Sequence, residues 1–356
     1  MRKWLLVAIL LLPPLGIAAW SGSEYLLFHG DVENIAFENG DVRLTGVLVK
    51  PSGRPPYPAV VFIHGSDPTP HDHPVWKVHA NAFLRRGFAV VVYDKRGSGG
   101  STGNLEAASM RDLAGDVAAA VRFLRDRPDV APDRIGLFGR SQGGWVGPLA
   151  TTLVDGVAFV VMSASPAVSP AAQGLYRMEG RLRDRGVPAP EIREALALRK
   201  RLWNLYRRSA SEGEAALRAE REAIGTALVE MRKKDWFETA DLPRELPPSD
   251  PEANTRRVAF YLHDPLPPLV RMNCPLLAVF GAEDRLVDTA ESVAILERLK
   301  RERKKDITVV IYPHVGHALT TWKAIPTFYA PGYLDLIADW SRRQVDRRQA
   351  KAEEEP

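Results

Sequence analysis

The sequence has little cysteine and little excess charge. Its one cysteine, Cys274, excludes an intrachain disulfide framework. Cys274 precedes Pro275 at the start of an apolar run, so we interpret it as a buried residue at a strand entrance rather than a catalytic thiol. The 48 basic and 44 acidic residues leave a formal net charge of only +4. Such a small surplus does not favour a nucleic-acid-binding function.

Internal repeats and long low-complexity segments are also missing from the sequence. The hydrophobic content of 45% and the charged content of 26% are typical of an ordinary globular protein rather than a disordered one. A length of 356 residues suits one large domain with an insertion, or two modest domains. No metal and no cofactor is predicted.

The N-terminus has the pattern of a targeting segment. Arg2 and Lys3 precede an apolar stretch from Trp4 to Trp20, and small residues around Ser21 would permit cleavage. The stretch is close to the ~17–25 residues that span a bilayer, so an uncleaved anchor is the alternative. We expect residues 1–22 to be a signal peptide or an N-terminal membrane anchor. The protein is then exported, to the periplasm or the exterior, and any membrane contact is made through this segment.

The order of apolar runs predicts an α/β fold. Segments at Asn34–Phe37 and Arg43–Val49 flank Asn39-Gly40-Asp41, which is hairpin chemistry and predicts an antiparallel start to a sheet. Helical patterns then alternate with continuous apolar runs at 59–63, 88–93, 135–138, 157–163, 276–280 and 307–312. This alternation favours a mostly parallel central sheet with helices on both faces.

One long segment interrupts this alternation. From Ser169 to Pro268 the sequence contains helix-like runs such as Glu191–Arg208, over a span far longer than the ~12–15 residues of an ordinary connection. We interpret residues 169–268 as a helical cap insertion, and residues 31–168 and 269–345 as the α/β core. A last helix is expected near Tyr333–Arg343. Residues 346–356 form a polar tail that we expect to fray.

The motif Gly139-Arg140-Ser141-Gln142-Gly143-Gly144 is the strongest chemical signal. A nucleophile elbow requires a strand, a tight turn and a helix, and the strand Ile135–Phe138 and the helix pattern after Gly144 supply both flanks. A second GxSxG match surrounds Ser101 but follows a Gly-rich loop with no helix directly behind it, so we interpret it as a turn. A serine at an elbow needs a base and a group that orients the base.

Candidates for these two groups follow later strands. The strand ending at Phe280 leads into the loop 281–287, where Asp284 is flanked by the alternatives Glu283 and Asp288. The strand ending at Tyr312 leads into a loop that contains His314 and His317. Functional residues of parallel sheets gather beyond the carboxyl ends of strands, where Ser141 and all of these candidates fall.

The order serine, acid, histidine resembles the α/β-hydrolase superfamily, in particular its dienelactone-hydrolase, serine-aminopeptidase and prolyl-oligopeptidase-like branches. The similarity extends from about Val60 to His317, apart from the insertion. Gly-Ala-Glu-Asp-Arg-Leu-Val matches the acid loop of the superfamily, and Val-Gly-His matches its histidine loop. The resemblance implies an α/β-hydrolase fold and a catalytic triad of Ser141, Asp284 and His317.

The same resemblance extends to loops around the expected cleft. His64-Gly65-Ser66-Asp67 is similar to the superfamily's oxyanion loop, which implies an oxyanion hole formed by the N–H groups of Ser66 and Gln142. Asp67 stands where relatives often have glycine. Asp94-Lys95-Arg96-Gly97 resembles a loop that ties the cleft together, so we interpret it as structural.

The histidines in the first half of the chain have structural interpretations. His64 is expected to brace the oxyanion loop rather than transfer a proton. His71-Asp72-His73, with His79 beyond, could suggest a metal site. A metal requires three or four convergent ligands, so we favour a polar loop.

Together these features predict a serine hydrolase that cleaves ester-type acyl bonds through an acyl-enzyme intermediate, with a small-molecule acyl ester or a peptide as substrate. An amino- or dipeptidyl-peptidase, an amidase or a thioesterase with the same triad is the nearest alternative. A non-catalytic, membrane-tethered binding module is an alternative of another class, although such a module has no reason to keep all three triad residues. A third alternative, a basic protein that binds anionic lipid or nucleic acid, depends on the Arg-rich stretches of the insertion and tail. No oligomeric state is predicted.

Overall fold

The computed structural model describes residues 23–209, 211–247, 250–321 and 327–354. The predicted signal peptide or anchor, residues 1–22, lies outside the described residues, and so do the last two residues of the predicted tail. Among the helices of the described ranges, none is both long enough and apolar enough to cross a bilayer.

The described residues form one eight-stranded sheet in the order β1-β2-β4-β3-β5-β6-β7-β8. Its strands are β1 (Asp31–Asn39), β2 (Val42–Lys50), β3 (Tyr57–Ile63), β4 (Ala89–Tyr93), β5 (Val130–Arg140), β6 (Val160–Ser163), β7 (Leu276–Gly281) and β8 (Ile307–Tyr312). Strands β1 and β2 pair antiparallel, as does β2 with β4, and the remaining pairs are parallel. The predicted mostly parallel sheet with an antiparallel start is therefore confirmed.

Helices connect the strands and cover the sheet. Besides a helical turn at residues 23–26, the helices of the described residues are α1 (Pro74–Leu84), α2 (Met110–Arg125), α3 (Gly143–Ala150), α4 (Pro170–Asp184), α5 (Ala189–Ser209), α6 (Glu214–Met231), α7 (Pro251–Tyr261), α8 (Leu266–Arg271), α9 (Thr289–Arg303) and α10 (Tyr333–Glu354). A short 3₁₀ helix, Phe237–Ala240, lies between α6 and α7.

Two apolar layers sandwich the sheet because successive side chains of a strand point to opposite faces. On β3, Val61 and Ile63 pack in one cluster with residues of α2, α3 and α9, whereas Val60 and Phe62 pack in the other with residues of α1 and α10. Both faces of the central strands are thus buried, which explains why the sequence of these strands is continuously apolar.

Helices α4 to α8 fill the chain between β6 and β7. Helices α4, α5 and α6 and the segment around Trp236 share an apolar cluster of their own, which includes Leu182, Leu198 and Leu228. Helix α5 packs against both α6 and α7. The insertion therefore has its own small core. It begins after the carboxyl end of β6, and the chain re-enters the sheet at the amino end of the neighbouring parallel strand β7.

The C-terminal helix is longer than the sequence predicts. We expected a helix near 333–343 followed by a frayed polar tail, but α10 continues to Glu354. Val345 is fully buried, and the Arg348 guanidinium donates a hydrogen bond to the backbone oxygen of Val157 over 3.1 Å. These contacts with residues far away in the sequence hold the additional turns in place.

Candidate active site

Ser141 occupies a sharp turn between β5 and α3. Its φ of +50° lies in the left-handed region, which side-chain-bearing residues seldom adopt. The turn is held because the Ser141 N–H donates to the backbone oxygen of Ser163 over 3.0 Å and the Ser141 carbonyl accepts from the N–H of Gly144 over 2.9 Å. The strand, strained turn and helix predicted for a nucleophile elbow are all present.

Glycines flank the turn because neighbouring atoms leave no room for a side chain. A Cβ atom on Gly139 would lie 2.5 Å from the backbone oxygen of Gly143. A Cβ atom on Gly144 would lie 2.2 Å from the Cβ of Ser165. Both distances are far below van der Waals contact, so the GxSxGG spacing is a steric requirement of this elbow.

The structure brings Ser141, His317 and Asp284 together. The Nε2 atom of His317 lies 3.1 Å from Oγ of Ser141, and its Nδ1 atom lies 2.8 Å from Oδ2 of Asp284. The Asp284 side chain is buried, whereas 23% of the His317 side chain is exposed. A carboxylate accepts hydrogen bonds only, so the network assigns the proton to Nδ1 and leaves the Nε2 lone pair facing the hydroxyl.

The loop after β7 fixes the Asp284 carboxylate from its other side. Oδ1 accepts hydrogen bonds from the backbone N–H groups of Leu286 and Val287 at 2.8 and 2.9 Å. Oδ2 is thereby left to His317. The imidazole has one carboxylate partner of fixed orientation, which is the arrangement that holds a base in one tautomer.

The alternative acid and base candidates point elsewhere. His314 Nδ1 lies 3.2 Å from Oε1 of Glu283, and both side chains are exposed at the surface. The carboxylate of Asp288 accepts from the N–H of Glu291 over 3.0 Å and caps the start of α9. Of the candidate pairs, His317 and Asp284 are the one that lies against Ser141.

The predicted oxyanion loop lies beside the elbow. A Cβ atom added to Gly65 would lie in van der Waals contact with the Cβ of Ser141, at 3.6 Å, so the backbone just before Ser66 passes close to the nucleophile candidate. Gln142 is buried directly behind Ser141 and precedes the first turn of α3. Ser66 is exposed at the surface of the same cleft.

Lys95 is a site residue that the sequence reasoning missed. We assigned its loop only a general tying role, but its side chain is buried and its ammonium group contacts both the oxyanion loop and the Gln142 side chain. A lysine two residues after the end of the buried strand β4 is the signal that could have identified it, because lysine is almost never buried without dedicated partners.

The rest of that loop is held by buried polar contacts. Arg96 forms an ion pair with Asp116 of α2 at 2.6 Å. Asp94 accepts hydrogen bonds from the N–H groups of Gly100 and His71 at 2.9 and 2.8 Å. Burial alone would raise the pKa of Asp94, but these bonds outweigh it and lower the pKa. The Ser101 hydroxyl of the second GxSxG match donates to the backbone oxygen of Asp94 over 2.7 Å, which makes it part of this loop structure.

The histidines considered as metal ligands each form hydrogen bonds with different partners. The His71 ring contacts Asp94 over 2.8 Å, and the His73 ring accepts from the N–H of Val75 at the start of α1. His79 is buried between the backbone oxygen of Val75 and the hydroxyl of Tyr333. Burial lowers the pKa of His79 to about 3. Within the described part of the chain, no three His, Cys, Asp or Glu side chains are grouped as a metal would require.

Two further interpretations concern His64 and Cys274. The His64 ring packs edge-on against Trp76 and Tyr93, with centroids 5.1 and 4.8 Å away, and burial lowers its pKa to about 3. It is therefore an uncharged ring beneath the oxyanion loop. Burial raises the pKa of the Cys274 thiol to about 12, which keeps it protonated and unreactive.

An open cavity of about 1010 Å³ lies next to the elbow, between the core and the insertion. Ser66 and Gln142 line one wall, and the loop 97–108 lines another. Helix α7 of the insertion supplies Arg256, Arg257, Phe260 and Tyr261. The cavity thus combines the predicted oxyanion donors with aromatic and basic groups.

Comparisons with known proteins agree with this architecture. Among solved structures, an α/β hydrolase GrgF from Penicillium has 20% identity and a TM-score of 0.56 over 90% of this chain and 99% of its own. Est1E from Butyrivibrio proteoclasticus, with bound ferulic acid, has 17% identity and a TM-score of 0.53 over 89% of this chain and 99% of its own. At these identities the likeness concerns the fold.

Sequence comparisons identify the family as well as the fold. The esterase EstD of Thermotoga maritima is 23% identical over 87% of this chain and 68% of its own length. The quorum-quenching protein AidA of Acinetobacter baumannii is 28% identical over 37% of this chain and 43% of its own length. The family model of the X-Pro dipeptidyl-peptidases (S15 family) matches residues 39–317, from the end of β1 to His317. The chain belongs to this S15 family and is a serine hydrolase of the α/β-hydrolase fold.

Proposed function

We propose that the protein hydrolyses carboxylic esters through an acyl-enzyme intermediate on Ser141. The observation that carries the proposal is the continuous contact from Ser141 Oγ through the His317 ring to the buried Asp284 carboxylate. As Oγ bonds to the ester carbonyl carbon, its proton passes to Nε2 of His317 and the carbonyl oxygen becomes negative. Asp284 stabilises the imidazolium that forms. The proton then goes to the leaving alcohol, and water repeats the sequence to release the acid.

The oxyanion would be bound by the backbone N–H groups of Ser66 and Gln142. Support comes from the close approach of the Gly65 backbone to Ser141, and from the position of Gln142 at the start of α3, where helix N–H groups and the helix dipole favour negative charge. Removing one such donor typically costs ~10²–10³ in rate, so this arrangement accounts for a large share of the expected catalysis.

The charge of the cavity favours esters over N-terminal dipeptides. A dipeptidyl-peptidase acts on a substrate whose terminal ammonium must be accommodated near the scissile bond. Among the described residues that line the cavity, Glu106 is the acidic side chain and is exposed, whereas Arg256 and Arg257 are basic. The aromatic rings of Phe260 and Tyr261 suit an uncharged acyl or alkoxy group. The name of the relative EstD, an esterase, points the same way.

A dipeptidyl-peptidase is the second candidate, because the family that the chain belongs to is described by that activity. Acyl transfer from an amide uses the same serine, base and oxyanion donors as acyl transfer from an ester. A thioesterase would use them as well. The substrate must therefore be decided by measurement of rates rather than by the triad.

A substrate panel with a matched variant tests the proposal. We would compare kcat/KM for p-nitrophenyl esters of increasing acyl length, Gly-Pro-p-nitroanilide and an acyl thioester, using the wild type and Ser141→Ala. The expected result is ester hydrolysis that is lost in the variant, with a fluorophosphonate probe attached at Ser141. Faster turnover of the dipeptide anilide would favour the second candidate, and full activity of Ser141→Ala would refute the mechanism.

We also propose that the protein is exported. The support is the basic start at Arg2 and Lys3 followed by the apolar stretch up to Trp20. Fractionation of cells that express the full chain, followed by N-terminal sequencing, tests this. Recovery outside the cytoplasm, cleaved near Ser21 or resistant to alkaline extraction from membranes, is expected. A cytoplasmic protein that retains Met1 would contradict export.

A further inference from the structure

The ammonium group of Lys95 lies at the junction of the two backbone segments that carry the proposed oxyanion donors. Lys95 follows β4, the strand beside β3, and only 3% of the residue is exposed. Its Nζ donates to the backbone oxygen of Gly65 at 2.6 Å, to that of Ser66 at 3.2 Å and to Oε1 of Gln142 at 2.7 Å. Two acceptors thus belong to the oxyanion loop and the third to the residue after the nucleophile.

We propose that Lys95 is a positioning residue that fixes the distance between the Ser66 and Gln142 N–H groups by bonding both segments at once. The inference rests on the proposed function, because it concerns the oxyanion hole of that reaction. The Ser66 N–H belongs to the same peptide unit as the Gly65 carbonyl that Lys95 binds. Any rotation of this peptide that redirects the N–H must therefore lengthen the 2.6 Å hydrogen bond.

The contact geometry requires the charged form of the lysine. An ammonium group has three N–H donors, and three acceptors surround it. A neutral amine has two donors and a lone pair, which would face one of the three oxygens and repel it. A positive charge behind the hole also favours the negative oxygen that develops during acyl transfer. Deprotonation of Lys95 should therefore loosen the hole.

Burial and the charged groups around Lys95 determine the pH at which it is deprotonated. Burial lowers the pKa of Lys95 to about 8, although the carboxylates of Asp67 and Asp116 act in the opposite direction. Asp116 is already paired with Arg96. His64, on the strand end below, is uncharged because burial lowers its pKa as well. The ammonium is present below about pH 8 and is lost as the pH rises through this value.

Two variants and a control separate positioning from general stabilisation. Lys95→Met removes the charge at similar volume, Gln142→Met removes one acceptor and keeps the backbone N–H, and Lys300→Met changes an exposed lysine of α9. For each we would measure kcat and KM with p-nitrophenyl butyrate, and the rate of fluorophosphonate attachment at Ser141, from about pH 6.5 to about pH 9.5. Thermal unfolding reports on folding.

The wild type and Lys300→Met are expected to lose kcat above about pH 8. Lys95→Met should have a kcat about 10²-fold lower at neutral pH, with little change in KM and no alkaline decline, because the hole acts on the transition state. Gln142→Met removes an acceptor that stabilises the ammonium, so its alkaline decline should move to lower pH. These pH profiles would not change in this way if Lys95 only stabilised the fold.

The outcomes distinguish this inference from the proposed function. Wild-type kcat and an unchanged alkaline decline in Lys95→Met would overturn the inference while ester hydrolysis by Ser141 stands. If Lys95→Met does not fold, the pH profile of Gln142→Met is the deciding measurement. An alkaline decline of kcat at the same pH as in the wild type overturns the inference, and a decline at lower pH supports it. A wild type that is not labelled at Ser141 would overturn both.

Discussion

The hydroxyl of Tyr176 lies 2.9 Å from the backbone oxygen of Asp284. Tyr176 belongs to α4, the first helix of the insertion, whereas Asp284 belongs to the loop after β7. The neighbouring residue Arg285 also forms an ion pair with Asp184 at the end of α4. The insertion is therefore attached to the loop that orients the candidate base, in addition to lining the cavity.

This attachment predicts that Tyr176→Phe lowers activity more than its effect on stability would explain. Loss of one part-buried hydrogen bond should cost about 1 kcal/mol in the free energy of unfolding. Because the Asp284 loop would also gain freedom, we expect kcat to fall roughly three- to tenfold, in line with the sensitivity of catalysis to small misplacements. Steady-state kinetics and urea unfolding measure the two effects.

The matched control for Tyr176→Phe is Tyr57→Phe. The Tyr57 hydroxyl donates to the backbone oxygen of Gly53 over 3.0 Å, far from the elbow in an exposed turn. This variant loses the same kind of bond, so its kcat should equal that of the wild type. Equal kcat values in the two variants would show that the link to Asp284 is without consequence for activity.

A second prediction concerns the choice among the three acids of the loop. Asp284→Asn should lower kcat by about 10³–10⁴, because an amide cannot favour the imidazolium and would present a donor or a wrong tautomer to His317. Glu283→Gln and Asp288→Asn are the controls. Both should keep kcat within about threefold, and Asp288→Asn should retain much of the cap of α9 because asparagine is also a good N-cap residue. A larger loss in either control than in Asp284→Asn would reassign the acid.

The sequence was sufficient to predict the parts of the site that depend on local pattern. The central strands β3 to β7 could be predicted because their apolar runs are buried on both faces. The edge strand β8 is only half-buried, with Ile311 exposed, and could be predicted from its β-branched run. The elbow around Ser141 could be predicted because its glycines are required by contacts within the motif and with β6. The distinction between Asp284 and its neighbours came from the resemblance, since the three carboxylates are nearly adjacent in sequence.

Other features depend on contacts that a single sequence does not reveal. The ammonium of Lys95 is placed by oxygens of Gly65, Ser66 and Gln142, which lie about thirty to fifty residues away along the chain. The last turns of α10 look polar, and they are held by Val345 and by the bond from Arg348 to Val157. In both cases the partner lies on another element, so neither helix propensity nor charge pattern indicates the contact.

A third prediction tests the steric requirement of the elbow. Gly144→Ala would place a Cβ atom 2.2 Å from the Cβ of Ser165 and 3.0 Å from Cε of Met162. The backbone of α3 must shift, so we expect a loss of about 1–3 kcal/mol in unfolding free energy together with a fall in kcat. Gly225→Ala on α6 is the control, because a Cβ atom there has no neighbour within 4 Å among the described residues.

In the control variant Gly225→Ala, the change in the free energy of unfolding should have the opposite sign. Glycine inside a helix costs roughly 0.5–1 kcal/mol relative to alanine, so Gly225→Ala should raise the free energy of unfolding and leave kcat unchanged. Chemical unfolding of the two variants side by side measures the difference. Equal stability of both variants would mean that the elbow tolerates a side chain at Gly144.

The last prediction is that activity and the stability contribution of Lys95 change in opposite directions with pH. Burial lowers the pKa of Lys95 from 10.5 to about 8 in the folded protein. Between these values the unfolded chain keeps the proton that the native state has lost, so the unfolded state binds more protons. Because stability increases with pH wherever the unfolded state binds more protons, the contribution of Lys95 to the free energy of unfolding must rise with pH in this interval. Over the same interval the oxyanion hole loses its ammonium and kcat should fall.

Urea unfolding of the wild type and Lys95→Met at about pH 7.5 and about pH 9.5 measures this contribution. The difference between the two proteins should move in favour of the wild type by about 1–2 kcal/mol at the higher pH. Lys300→Met, which keeps Lys95, provides the baseline for all other titrating groups. If the Lys95 ammonium instead stabilised the fold, as a charge in an ion pair can, its deprotonation would lower the free energy of unfolding. A wild type that loses stability relative to Lys95→Met as the pH rises would therefore show that the ammonium stabilises the fold and that its pKa is raised rather than lowered.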